Sequence, residues 1–187
     1  MDVSVRESNI DEMKERLLSI DTALNKITYL ESALRVSGFS FEVKRFLYGE
    51  LCLLYSEKGM FEKAARAQAN KASLEITSKD RIESFIDAAL LYAKIGKVDE
   101  ADSMFNRAAR DGDPNSIVRV KLARKNIYST VAKELMDKGK KGGALKYYEK
   151  LYKMNLDDVE RTMIKDKLVS LYKSLGMFRE ARMLEGV

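Results

Sequence analysis

The feature that most constrains the fold is a short skeleton of residues that recurs along the chain. A tyrosine, a glycine and an alanine follow one another as Tyr55, Gly59 and Ala64. The order recurs in the sets Tyr92, Gly96, Ala101 and Tyr172, Gly176, Ala181, and a weaker copy with leucine in place of tyrosine has Leu135, Gly139 and Ala144. Successive glycines are 37, 43 and 37 residues apart. Fixed periods of about 20 to 50 residues are typical of stacked supersecondary units. The chain is therefore expected to consist of repeated helical hairpins.

The spacing inside each unit predicts a tight turn between two antiparallel helices. Before Gly59, apolar residues recur every three or four positions, as on one face of a helix. The glycine is expected to end that helix, because a residue without a β-carbon adopts the left-handed conformation at low cost. Two residues later, Phe61, Val98 or Phe178 is expected to pack beneath the turn. The small alanine then allows close approach of the second helix.

These positions resemble the tetratricopeptide repeat. The second copy matches that family's pattern best, through Phe85, Ala88, Ala89, Tyr92, Gly96, Ala101, Phe105, Ala108 and Pro114. In the first copy, Gln68 stands where the family has an aromatic residue. The repeats exceed the family's roughly 34 residues, which makes them similar to the longer helical repeats of soluble NSF attachment proteins. The resemblance implies an all-α fold, a right-handed α-α superhelix of about four hairpins.

The expected organisation is a single helical-repeat domain over residues 1–187. Four repeats follow an N-terminal cap at 9–40, and they cover 41–77, 80–112, 114–156 and 158–187. The cap could be one long helix or a pair, with Asp21 as a candidate N-cap of the second helix. Because the last hairpin is short, we expect its outer face to be exposed and to offer a site for homo-oligomerisation.

Composition argues against an enzyme. The chain has no histidine and one cysteine, Cys52, which removes the usual residues of proton-shuttling triads and zinc sites. Cys52 lies at a small-residue position of the repeat, so a packed thiol is expected there. We therefore predict no catalytic residue, no metal and no cofactor. No apolar run approaches the roughly 18 residues of a membrane span, and the N-terminus lacks the apolar segment of a secretion signal, so the expected location is cytoplasmic.

The resemblance implies a concave groove for a partner. In that family, the first helices of successive hairpins bind a peptide or a helix of another protein. The matching groove positions in this chain are Phe46, Leu53, Ile86, Leu90, Asn126, Lys133 and Met136. The expected function is a non-enzymatic protein-interaction scaffold or adaptor, and the groove would suit an amphipathic partner helix or this chain's own N-terminal helix.

A basic segment supports an alternative function. Arg119 to Lys153 contains 11 basic and three acidic residues. Its principal cations are Lys121, Arg124, Lys125, Lys138, Lys140 and Lys141. Together with interleaved tyrosines they could bind nucleic acid or an acidic partner. However, Tyr128 and Tyr148 fall on core positions of the repeat. This favours the interpretation that the basic residues lie on solvated faces of ordinary helices, with the tyrosines in the core.

Overall fold

Ten helices follow one another in the part of the chain that the structure describes. The structure is a computed structural model and describes residues 5–110 and 112–186, which contain no strand. The helices are α1 (Ile10–Ser19), α2 (Ala23–Ala33), α3 (Phe41–Glu57), α4 (Phe61–Ser73), α5 (Ser78–Lys94), α6 (Val98–Arg110), α7 (Pro114–Asp137), α8 (Lys141–Tyr152), α9 (Asp158–Ser174) and α10 (Phe178–Glu185). The all-α prediction is confirmed. Of these helices, none has both the length and the apolarity needed to cross a membrane.

The four predicted glycine turns are confirmed. Gly59, Gly96, Gly139 and Gly176 each lie between two helices and have φ between 68 and 79°. After Gly59, the backbone N–H of Met60 donates to the Tyr55 carbonyl at 2.8 Å, the six-to-one bond of a Schellman motif. The same bond forms from Lys140 to Leu135 and from Met177 to Tyr172, both at 2.8 Å. The tyrosine-to-glycine spacing therefore reflects the backbone geometry of the turn.

The expectation that an apolar side chain packs beneath each turn is wrong at two of the three positions. Val98 is buried, but Phe61 is 45% exposed and Phe178 is 61% exposed. Each phenylalanine is the first residue of its helix. Three residues later, Ala64 and Ala181 are fully buried. The alanines, and not the aromatic rings, are therefore the residues packed in the interior.

The N-terminal cap is a pair of helices. Asn9 caps α1, and its side chain accepts from the N–H of Glu12. The N-cap of α2 is Thr22, not Asp21 as predicted, because the Thr22 hydroxyl accepts from the N–H of Asn25 at 3.2 Å. Similar side-chain caps start other helices at Ser40, Thr77 and Asp157.

Contacts divide the chain into two compact units. The first comprises Met1–Ile95 and Asp99–Val120, and the second comprises Gly96–Val98 and Lys121–Val187. In the first unit, α4 packs between α3 and α5 through a row of buried alanines: Ala64, Ala65, Ala67, Ala69 and Ala72. The core of the second unit includes Tyr128 and Tyr147, which form an edge-to-face pair at 5.5 Å between ring centroids.

A matched pair of glycines tests the turn geometry in the second unit. Gly139 has a φ of 68°, in the left-handed region. Gly142 is an exposed residue within α8, and no atom lies within 4 Å of the position that a β-carbon on Gly142 would take. We expect Gly139→Ala to destabilise the chain by about 1–2 kcal/mol. Gly142→Ala should instead stabilise it by about 0.4–1 kcal/mol. Urea unfolding followed by circular dichroism measures both, and equal effects would contradict the assigned turn.

Candidate functional site

The clearest candidate site is a cleft between the N-terminal helix pair and α3, which we call the α1–α3 cleft. It encloses about 720 Å³. Its apolar lining consists of Leu17, Leu18, Ala23, Phe46, Leu53 and Leu54. Its charged lining consists of Lys14, Asp21, Lys26, Glu50 and Glu57. An apolar floor with charged groups around it is the usual form of a binding surface for an amphipathic segment.

The two faces of α3 explain why this cleft exists. Val43, Leu47, Leu51 and Tyr55 recur every four residues and are buried in the core. Leu53 lies on another face and is 61% exposed, although it is a large apolar residue. Across the cleft on α1, Leu18 is 84% exposed. Two leucines left in solvent on one cleft are a better sign of a contact surface than scattered single residues.

Helix α1 covers one end of the predicted groove. Met13 and Leu17 of α1 are buried in the same cluster as Leu47, and Phe46 packs against that cluster. The Lys14 ammonium lies 5.9 Å from the centre of the Phe46 ring, a cation–π distance. The chain's own N-terminal helix therefore occupies part of the surface that the sequence assigned to a partner.

A second cleft adjoins the first on α3. It encloses about 520 Å³ and shares Lys14, Phe46, Glu50 and Leu53 with the α1–α3 cleft. Cys52 also lines it. Burial raises the pKa of the Cys52 thiol, which makes the reactive thiolate scarcer at neutral pH. Among the described residues, no three potential metal ligands lie close enough together to hold an ion.

Gln68, where the resembled family has an aromatic residue, makes a polar contact in the first unit. It is 8% exposed, and its amide nitrogen donates to the Asp87 carboxylate at 3.3 Å. Desolvation raises the pKa of Asp87. The contact joins α4 to α5, so a hydrogen bond replaces an aromatic side chain at this junction.

The seven predicted groove residues fall in both units. Phe46 and Leu53 line the α1–α3 cleft. Ile86 and Leu90 lie on α5 and are half-buried, one turn apart. The remaining three belong to the second unit on α7, where Asn126 and Lys133 are exposed and Met136 is 36% exposed. Only the first pair is joined to a described cleft.

Three of the four tyrosines in the basic segment are buried, and the fourth, Tyr152, is half-buried with the Arg161 guanidinium 5.6 Å from its ring centre. Tyr128, Tyr147 and Tyr148 are 0, 1 and 4% exposed, so their rings cannot stack on bases. Arg124 is half-buried, with its guanidinium 5.7 Å from the centre of the Tyr128 ring. The prediction that these tyrosines belong to the core is confirmed.

The six predicted cations of this segment differ in their environment. Lys125 pairs with Glu160 at 2.5 Å. Lys121 is exposed on α7, and Lys138, Lys140 and Lys141 are exposed around the turn between α7 and α8. Three of the six cations therefore lie together at this turn, next to the exposed Asp137.

Two glutamates, Glu31 and Glu149, bond tyrosine side chains but are not among the residues predicted from the sequence. The Tyr55 hydroxyl donates to Glu31 of α2, and the Tyr172 hydroxyl donates to Glu149 of α8 at 2.8 Å. Tyr55 and Tyr172 thus bond a glutamate 24 and 23 residues earlier. Tyr92, which has Gln68 24 residues earlier, does not share this spacing, so the sequence gives no uniform signal for the two pairs.

The Tyr55 contact predicts a pH-dependent stability difference. The hydrogen bond from Tyr55 lowers the pKa of Glu31, and Lys63 at 3.4 Å lowers it further. A lowered folded-state pKa stabilises the fold above the ordinary pKa of about 4.3, and this contribution is lost as pH falls through the folded-state value. Tyr55→Phe should cost about 1 kcal/mol at neutral pH, and the cost should shrink at acidic pH. Urea unfolding at pH 7 and below pH 4 measures the difference, and a cost that grows on acidification would contradict it.

No family model matches the chain, and no curated protein is detectably similar to it. Functional conclusions therefore depend on the geometry of the surfaces described above.

Proposed function

We propose that this chain is a non-enzymatic protein-interaction scaffold, a solenoid of tetratricopeptide-like hairpins whose α1–α3 cleft binds an amphipathic helix or extended peptide of a partner. The observation that carries the proposal is the exposure of Leu53 and Leu18, at 61% and 84%, on one cleft. Burying two leucine side chains contributes about 1.5–3 kcal/mol each. The recurring glycine turns support the repeat architecture, because each joins two helices by the same short connection.

The acidic residues of the cleft indicate the chemistry of the partner. Asp21 and Glu57 are exposed and Glu50 is half-buried, while of the two lysines in the lining Lys14 lies beside Asp11 at 3.4 Å and Lys26 is half-buried. An incoming helix should therefore carry an apolar stripe with arginine or lysine beside it. Charge complementarity of this kind increases the association rate and the specificity of binding.

A designed helix tests the proposal. The probe is a fluorescently labelled amphipathic peptide with leucines at i, i+3, i+4 and i+7 and arginines beside that stripe, with a second peptide carrying glutamates instead. We expect the arginine peptide to bind more tightly, and Leu53→Asp to weaken it at least about tenfold, or 1.4 kcal/mol. Leu122→Asp is the matched control, because Leu122 is 52% exposed on α7 outside the cleft. Binding that survives Leu53→Asp would refute the site.

The exposed lysines at the α7–α8 turn favour a second candidate, electrostatic binding of an acidic partner or nucleic acid. Lys138, Lys140 and Lys141 are all exposed. Without exposed tyrosines, such binding would depend on charge and decline steeply with salt. A labelled single-stranded oligonucleotide titrated at low and moderate salt tests it. We expect reversal of Lys140 and Lys141 to glutamate to remove any binding seen, and binding that resists salt would argue against this mode.

A further inference from the structure

The outward face of α10 is apolar and basic. Helix α10 packs on α9, with Ala181 fully buried. Around the helix axis from Ala181, Phe178 lies at about 60°, Arg182 at about 100°, Arg179 at about 160° and Met183 at about 200°, and these four residues form one exposed face. Phe178 is 61% exposed and Met183 is 73% exposed. Glu180 is also exposed, about 60° beyond Met183 at the edge of this face, and Glu185 pairs with Lys173 at 2.6 Å.

The α1–α3 cleft has the opposite character. Its apolar residues Leu18 and Leu53 are exposed, and its charged lining has three carboxylates, Asp21, Glu50 and Glu57, against two ammonium groups, Lys14 and Lys26. A helix that brings two apolar side chains and two arginines would cover the leucines and pair with the carboxylates. The face of α10 meets both requirements with four residues.

The overall charge of the two units favours the same encounter. The first unit has 17 basic and 20 acidic residues, a net charge of −3. The second has 17 basic and nine acidic residues, a net charge of +8. Opposite charges on the surfaces that meet accelerate association at low salt.

We propose that the α1–α3 cleft of one copy receives the outward face of α10 of a second copy. The inference deepens the proposed function, because it names an occupant for the same cleft. Phe178 and Met183 would lie against Leu18 and Leu53, with Arg179 and Arg182 beside the acidic residues. Since each copy has one cleft and one α10, the contact is heterologous and can extend beyond a dimer.

Sedimentation velocity of the full chain tests self-association. We expect assembly to increase with protein concentration up to about 200 µM and to weaken between about 50 and 500 mM salt. Leu53→Asp removes the cleft, and Met183→Asp removes the helix face, so each variant alone should be monomeric. Leu122→Asp, the same change on an exposed leucine of α7, should assemble like the unmodified chain.

Mixing the two monomeric variants gives the decisive result. The intact α10 of Leu53→Asp can enter the intact cleft of Met183→Asp, but no further contact is then available. The mixture should form dimers and nothing larger. A mixture that stays monomeric, or one that forms larger assemblies, would overturn the pairing of these two surfaces.

The outcomes separate this inference from the proposed function. If the unmodified chain is monomeric at the highest concentration but binds the arginine peptide, the inference is overturned and the proposed function stands. If it self-associates as described but does not bind the peptide, the inference stands, and the proposed binding of a helix from another protein is overturned for a helix of that design. If it does neither, both are overturned.

Discussion

Leu47→Ala is expected to destabilise the chain by about 2–5 kcal/mol, because it removes a fully buried side chain and leaves a cavity. Leu47 is 0% exposed on α3, at the centre of the cluster formed with α1 and α2. The helix itself should tolerate the change, since alanine has the highest helix propensity. The loss therefore measures packing between helices. Urea unfolding followed by circular dichroism gives the difference in free energy.

Leu53→Ala is the matched control for this prediction. It makes the same chemical change six residues later on the same helix, at a side chain that is 61% exposed. Its effect on stability should be within about 0.5 kcal/mol, whereas peptide binding should weaken. If Leu53→Ala destabilises the chain as much as Leu47→Ala, then the two faces of α3 have been assigned wrongly, and with them the cleft.

Tyr128→Ala is expected to cost about 3–5 kcal/mol, as large aromatic deletions in cores do. Tyr128 is 0% exposed and packs edge to face on Tyr147, while burial raises the pKa of Tyr147 to about 12. Its hydroxyl donates to the Val98 carbonyl at a long 3.4 Å. Tyr128→Phe keeps the ring and should therefore cost no more than about 1 kcal/mol.

The two Tyr128 variants also decide between the two roles that the sequence allowed for the tyrosines. If Tyr128 is a core residue, removal of its ring must lower the stability of the protein, whatever ligand is present. If it stacks on bases, the protein would lose affinity for the oligonucleotide but keep its stability. Unfolding and oligonucleotide titration on the same samples distinguish these results, and an unchanged stability in Tyr128→Ala would refute the core position.

Sequence predicted the turns well because backbone geometry leaves few choices there. Gly59, Gly96, Gly139 and Gly176 all need a left-handed conformation, and that requirement appears directly as a fixed spacing. Tyr128 and Tyr148 were placed in the core by the same spacing. The first residue of α2 was harder to predict, because Asp21 and Thr22 are both favourable N-cap residues. The backbone conformation places Thr22 at the N-cap.

The candidate site was less predictable because it depends on distant side chains. Phe46 and Leu53 are groove positions in the sequence prediction. In the structure, α1 lies beside them and contributes Leu18 to form the cleft. The position of α1 depends on how Met13 and Leu17 pack in the core, which the sequence pattern does not specify. The exposed Phe178 was expected to be buried, because its place after a glycine resembles that of the buried Val98. The same position after a glycine turn does not ensure the same surroundings.

The Gln68–Asp87 contact limits how freely the hairpins could be exchanged in engineering. It joins α4 to the helix that follows, and the corresponding junction between α8 and α9 brings Tyr148 and Lys167 together, with the ammonium 5.5 Å from the ring centre. One junction pairs an amide with a carboxylate and the other pairs an aromatic ring with a cation. A shuffled chain that placed α4 before α9 would set Gln68 against Lys167 and lose both pairings. The order of the hairpins is thus encoded in the side chains where they meet.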